Sequence, residues 1–247
     1  MLSKKMKQFT IVDIIERQMQ FIKSNTVFDK IDFKYNDEGE LLAYNEMLED
    51  IKIMNEDNFK NKYIKIIDDI GTHCDKMNEQ ANSIEILNKN KNEVDKICGY
   101  NNAIVLILRC INPSFYYAEY RNWMPTNTIN KKMKDITMID IIERQIEFVK
   151  DNIIFDKHYN AGEQLGYKEM LKGIKIMNED DFVNKYFNIV KNLRIKFNNG
   201  EILNEEDVEK MRVYDESIVL ILTYIDPMYE HDLPMCLYDL IPPNHYR

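Results

Sequence analysis

Glycine and proline are scarce, with 7 and 6 in 247 residues. So few turn-formers exclude the many tight turns of a β-sandwich or barrel. They also leave no Walker loop and no GxGxxG stretch, the glycine-rich cradles that hold phosphate groups. Cysteine is confined to Cys74, Cys98, Cys110 and Cys236, none in a CxxC pair. These read as reduced thiols of a cytoplasmic protein. No apolar run approaches the ~18 residues of a membrane span; the longest, "AIVLIL" at 103–108, falls far short. The opening "MLSKKMKQFTIVDIIERQ" carries lysines, but Asp13 and Glu16 break its apolar run, unlike a secretory signal. Positive charge is in deficit too: 33 Lys+Arg face 42 Asp+Glu, a net charge of −9. Without a basic run the chain is poorly equipped to neutralise phosphates, so direct nucleic-acid binding is not expected. A partner with a basic surface suits the charge better.

What the chain has in abundance is itself. "KKMK" stands at 4–7 and at 131–134, "DIIERQ" at 13–18 and 140–145, and "FDK" at 28–30 and 155–157. "IKIMNED" at 51–57 returns at 174–180, "EILN" at 85–88 at 201–204, and "IVLIL" at 104–108 at 218–222. Repeats of this length predict a tandem duplication of one small module. The expected boundaries are 1–127, which includes an aromatic connector, and 128–247, which includes a carboxy-terminal tail. Two homologous modules in one chain are expected to pack as a pseudo-dimer, which favours a monomer.

The apolar spacing is helical, and each module is expected to hold four helices. Thr10 with Asp13, and Thr137 with Asp140, read as capping boxes. The first helix then buries Ile11, Ile14, Ile15, Met19 and Ile22, or Met138, Ile141, Ile142, Ile146 and Val149. A second helix is expected from about Gly39 to Met54, with Leu41, Tyr44, Met47, Leu48 and Ile51 on one side. Asn55 and Asn178 read as N-caps of a third helix, whose core face is Phe59, Tyr63, Ile66, Ile67 and Ile70 or Phe182, Tyr186, Ile189, Val190 and Leu193. "IVLIL" belongs to a fourth, near 94–111 and 208–225, with Val94, Ile97, Cys98, Ile104 and Leu108 inward. Asn199-Gly200 in "RIKFNNGEIL" predicts a minor β-hairpin, a possibility extended to each copy. The class is therefore mainly α.

Site signals are few. Polar residues retained in both copies include Arg17, Glu40 and Glu46, with counterparts Arg144, Glu163 and Glu169. An Arg–Glu bridge between the first two helices is their expected role, since ion pairs are commoner than catalytic clusters. Glu46, Glu49 and Asp50 imitate the carboxylate face with which all-α nucleotide pyrophosphohydrolases hold Mg²⁺. The second copy, with Lys172 and Gly173, lacks it. His73, His158, His231 and His245 do not correspond between copies and form no ligand motif. The connector carries Tyr116, Tyr117, Tyr120, Arg121 and the sole Trp123. Those residue types dominate binding hot spots, though aromatics more often pack internally.

No catalytic residue, metal or cofactor is assigned from these signals. The expectation is a non-enzymatic, cytoplasmic interaction protein that covers a basic surface of a protein or nucleoprotein. Its Ile-, Asn- and Lys-rich composition suits a phage or mobile-element antagonist, such as an anti-CRISPR-like or immunity-type inhibitor. The alternatives are a Mg²⁺-dependent nucleotide pyrophosphohydrolase using Glu46, Glu49 and Asp50, and a small-ligand sponge with a pocket between the modules.

Overall fold

The structure is a computed structural model that describes residues 4–24, 30–80, 91–116, 131–151, 157–201, 205–229 and 233. Among these residues lie eight α-helices and no β-strand. They are α1 (Ile11–Ser24), α2 (Lys30–Ile53), α3 (Glu56–Gln80), α4 (Lys91–Ile111), α5 (Met138–Asp151), α6 (Lys157–Ile176), α7 (Glu179–Asn198) and α8 (Glu205–Ile225). The mainly α class expected from the spacing is what the chain forms. No helix among the described residues is long and apolar enough to cross a membrane.

Local chemistry sets the helix starts. The Thr10 hydroxyl and backbone N–H both donate to Asp13 Oδ2, at 2.9 and 2.7 Å. Thr137 and Asp140 repeat the arrangement at 2.8 Å for each bond. Asn55 Oδ1 accepts from the Asn58 N–H at 2.9 Å, and Asn178 Oδ1 from the Asp181 N–H at 2.8 Å. Each such cap satisfies a donor that the helix leaves open, worth about 1 kcal/mol. Glu56 and Asp57, or Glu179, Asp180 and Asp181, then supply negative charge to the first turn.

Two helix limits differ from expectation. Gly39 stands in the middle of α2 rather than at its start. The expected hairpin at 194–203 does not form over its described part: α7 runs through to Asn198. Gly200 adopts φ +73°, its N–H bonds to the Phe197 carbonyl at 2.9 Å, and the Glu201 N–H bonds to the Lys196 carbonyl at 3.1 Å. This is a Schellman cap. Asn-Gly signals a left-handed residue, and a helix end uses one as readily as a hairpin does. The matching stretch of the first copy, 81–90, lies outside the described residues.

Contacts divide the chain into two compact units. One is Thr10–Ile136, holding α1–α4; the other is Met1–Phe9 together with Thr137–Arg247, holding α5–α8. This division does not follow the repeated sequence, because the "KKMK" at 4–7 falls in the unit of α5–α8 and the "KKMK" at 131–134 in the unit of α1–α4. In the second unit the Met6 N–H bonds to the Met177 carbonyl at 3.2 Å, and the Glu179 N–H to the Lys4 carbonyl at 2.9 Å. In the first unit the Met133 N–H bonds to the Met54 carbonyl at 3.1 Å, and the Glu56 N–H to the Lys131 carbonyl at 2.9 Å. Met6, Phe9, Met133 and Ile136 are buried, so the segments are anchored by apolar surface as well.

Within the first unit α2 packs chiefly on α4, and within the second α6 on α8. The approach is backbone to backbone. A Cβ at Gly39 would overlap the Lys96 carbonyl, one at Gly99 the Asn36 carbonyl, and one at Gly162 the Lys210 carbonyl. A Cβ at Gly166 would overlap the Ser217 hydroxyl. Gly99 rather than Cys98 makes this contact, so Cys98, expected inward, is exposed. Around the seam Tyr44, Met47, Ile51, Ile104 and Leu108 form the first core, and Tyr167, Met170, Ile174, Ile218 and Leu222 the second. Phe59 stacks on Tyr63 with ring centroids 4.5 Å apart, and Phe182 on Tyr186 at 4.6 Å.

The seam makes two glycine substitutions diverge. Gly162→Ala forces the Lys210 backbone away and is expected to cost about 1–3 kcal/mol. Gly71 lies in α3 with nothing within 4 Å of an added Cβ. Gly71→Ala should therefore stabilise by roughly 0.5–1 kcal/mol through helix propensity alone. Urea unfolding of both variants measures the two opposite signs.

Candidate functional site

The richest polar cluster of the first unit lies where α2 faces α3 and α4. Its residues come from helix spacing: Glu46 and Asp50 are one turn apart on α2, and Lys62 and Tyr63 are adjacent on α3. The Tyr63 hydroxyl donates to Asp50 Oδ2 at 2.6 Å, and Lys62 Nζ forms an ion pair with the same oxygen. The Tyr100 hydroxyl of α4 donates to Glu46 Oε2. Burial first, and then these carboxylates, push both tyrosine hydroxyls well above their ordinary pKa. They stay protonated at any physiological pH and act as fixed donors, not as acid–base groups.

The second unit answers the same positions differently. The Tyr214 hydroxyl donates to Glu169 Oε2 at 2.6 Å, matching Tyr100 and Glu46. Gly173 replaces Asp50, and the Tyr186 ring occupies the room that this frees: a Cβ on Gly173 would lie 2.7 Å from the Tyr186 hydroxyl oxygen. That hydroxyl turns to the Glu169 backbone carbonyl at 2.6 Å. Burial and the Glu169 charge push Tyr186 to about 12. Deeper in this unit, Arg194 of α7 holds Asp215 of α8 with Nε 3.1 Å and a terminal nitrogen 2.6 Å from Oδ2. Both side chains are buried. The fork geometry satisfies an otherwise costly buried charge and ties the two helices together. At the first copy's equivalent positions stand Gly71 and Asn101.

The retained glutamates thus have named partners. Glu46 and Glu169 each accept from a tyrosine of the last helix of their own unit. Glu163 accepts from the Tyr167 hydroxyl at 3.2 Å, and Glu40 from Asn36 Nδ2 at 2.9 Å. Arg17 is half-buried in α1 and Arg144 buried in α5. Glu49, the third member of the carboxylate face, points outward and pairs with Lys52 at 2.7 Å. Glu46, Glu49 and Asp50 are therefore spread between α4, solvent and α3. Among the described residues no three His, Cys, Asp or Glu side chains are grouped to hold a metal ion. Of the connector aromatics, Tyr116 ends a short 3₁₀ turn at Pro113–Tyr116. Tyr117, Tyr120, Arg121 and Trp123 lie outside the described residues, as does the tail except Leu233, which is buried.

Sequence reasoning passed over Tyr63, Tyr100 and Tyr214 as polar partners. The available signal was positional: Tyr100 and Tyr214 each stand four residues before "IVLIL". Comparison with family models, curated proteins and solved structures returns no match to this chain.

Among the described carboxyls, Glu40 is raised into the neutral range. Burial, reinforced by the Asp37 charge and opposed by the Asn36 hydrogen bond, raises it to about 7. A carboxyl whose folded pKa is raised adds stability that is fully present below its unfolded value, near 4.3, and lost as pH rises through the folded one. The melting temperature of the wild type should therefore fall between pH 5 and 8. Glu40→Gln, which cannot ionise, should flatten that fall, as thermal melts across the range would record.

Proposed function

We propose that this is a non-enzymatic, acidic interaction protein that works by covering a basic surface on a macromolecular partner. In this reading one helical module was copied end to end, and the two copies pack as a pseudo-dimer. The reciprocal hydrogen bonds of residues 4–6 and 131–133 support that history. Exchange of an identical end segment is what fusion of a segment-swapped homodimer would leave behind.

The observation that carries the functional reading is the acidic excess of the chain, 42 Asp+Glu against 33 Lys+Arg. Glu46, Asp50 and Glu169 are tied to tyrosine hydroxyls that remain neutral donors. Glu16, Glu38, Glu49, Asp69 and Glu93 are exposed on helix faces, whereas Glu56 and Asp215 are buried. A net charge of −9 steers an oppositely charged partner and sets the speed of encounter more than the final affinity.

The test is capture of partners from a lysate on the immobilised full chain, with mass spectrometry of proteins and small molecules at graded ionic strength. A basic protein or nucleoprotein is expected. Its association rate with the purified chain should fall roughly tenfold from dilute buffer to physiological salt. Binding indifferent to salt, or recovery of nucleotides alone, would overturn the reading.

A further inference from the structure

Residues 4–9 lie on the unit of α5–α8 as a bound peptide lies on a receptor. The segment enters extended at Lys5, makes one 3₁₀ turn at Met6–Gln8 and leaves extended at Phe9. Its Met6 N–H donates to the Met177 carbonyl, and its Lys4 carbonyl accepts from the Glu179 N–H, both at the elbow between α6 and α7. The Lys4 carbonyl thereby satisfies one of the donors that α7 leaves open at its start, and the Asn178 side chain satisfies another. Met6 and Phe9 are buried, and their turn packs on α5 and α6. Lys4, Lys5 and Lys7 are exposed.

The elbow between α2 and α3 shows what such a site reads. It holds residues 131–136 with the same pair of main-chain bonds and the same turn, at Met133–Asp135. The two segments share Lys-Lys-Met-Lys and then differ, Gln8-Phe9 against Asp135-Ile136. The fifth position therefore varies, and the sixth takes an aromatic or an aliphatic side chain. Recognition rests on main-chain bonds and two apolar seats, the means by which short linear motifs are read. The two elbows differ in charge. At the start of α3, Glu56 is buried and half-buried Asp57 lies 3.9 Å from Lys60. At the start of α7, Asp180 and Asp181 are exposed, one and two residues beyond the Glu179 N–H that holds the segment. The α6–α7 elbow thus carries carboxylates at the surface, and the segment it holds is rich in lysine.

We propose that the α6–α7 elbow is a docking site for a lysine-rich segment of the partner, and that residues 4–9 are its intramolecular placeholder. This rests on the reading of the chain as an acidic interaction protein, and it gives the partner's basic surface a form: Lys-Lys-Met-Lys-x-apolar around one 3₁₀ turn. The partner's segment takes over both main-chain bonds and seats its apolar side chains where Met6 and Phe9 lie. Its lysines meet the charge of Asp180 and Asp181. The tether gives residues 4–9 a local concentration of order millimolar. A partner displaces them by adding contacts outside the motif, which a free hexapeptide lacks.

The probe is a fluorescent peptide of residues 4–9, KKMKQF, titrated into the full chain and followed by anisotropy. Met6→Asp places a carboxylate in the buried seat and so unseats the segment. That variant should melt lower than the wild type, bind the peptide, and regain part of its melting temperature on binding. The wild type should bind the peptide at least about tenfold more weakly, because its own segment competes. A peptide carrying the same Met6→Asp change should not bind. Adding Asp180→Asn and Asp181→Asn to the Met6→Asp chain should weaken peptide binding several-fold, as should raised salt. If Met6→Asp does not fold, Met6→Ala gives the same comparison with a smaller disturbance. A folded variant that ignores the peptide, or equal binding of both peptides, would overturn the proposal. So would a captured basic partner that the wild-type chain and the Asp180→Asn, Asp181→Asn chain hold equally tightly, a result the acidic reading survives. Where no basic partner is captured, the acidic reading fails and takes this proposal with it, however well the peptide binds.

Discussion

The fold depends on the close approach of two long helices in each unit. At Gly39 and Gly99 in one, and Gly162 and Gly166 in the other, a missing Cβ lets the helix backbones meet the opposite carbonyl or hydroxyl directly. Side chains flanking the seam, such as Met47 and Leu108 or Met170 and Leu222, can then bury completely on either side. Glycine inside a helix costs roughly 1 kcal/mol against alanine. That cost is offset by the packing of everything around it, since dispersion and burial both fail across even a small gap.

The polar groups follow from that seam. With α2 held tightly on α4, Glu46 is within reach of Tyr100; with α6 held on α8, Glu169 is within reach of Tyr214. The third helix of each unit then completes the polar contacts in its own way. In the first, Asp50 takes the Tyr63 hydroxyl and the Lys62 ammonium. In the second, Gly173 leaves room for the Tyr186 hydroxyl, and Arg194 with Asp215 carries the buried charge. Each pairing meets the same requirement, that a buried polar atom find a partner. The two units meet it with different residues.

Much of this was readable in advance. The Thr-x-x-Asp boxes and the Asn caps act over three residues, so sequence alone carries them. The core positions Phe59, Tyr63, Phe182 and Tyr186 follow from helical period. Interactions between helices were harder to read. A mid-helix glycine such as Gly39 looks like a boundary until the neighbouring backbone is in place. Cys98 fits the apolar period of α4, yet Gly99 beside it makes the contact and turns Cys98 outward. Asn199-Gly200 specifies a left-handed residue but not whether strands or a helix precede it; the helix through Asn198 decided that.

By itself the sequence determined the helical class and the capped starts of α1, α3, α5 and α7, because those depend on neighbours within a turn or two. It also set the acidic excess and the repeated words. Only the tertiary structure decided where each "KKMK" segment docks. The two segments are identical, and their receiving strands of chain, "IKIMNED", are identical too. Local energy is therefore the same for either choice. The choice is made outside both stretches, and no local reading of residues contains that information.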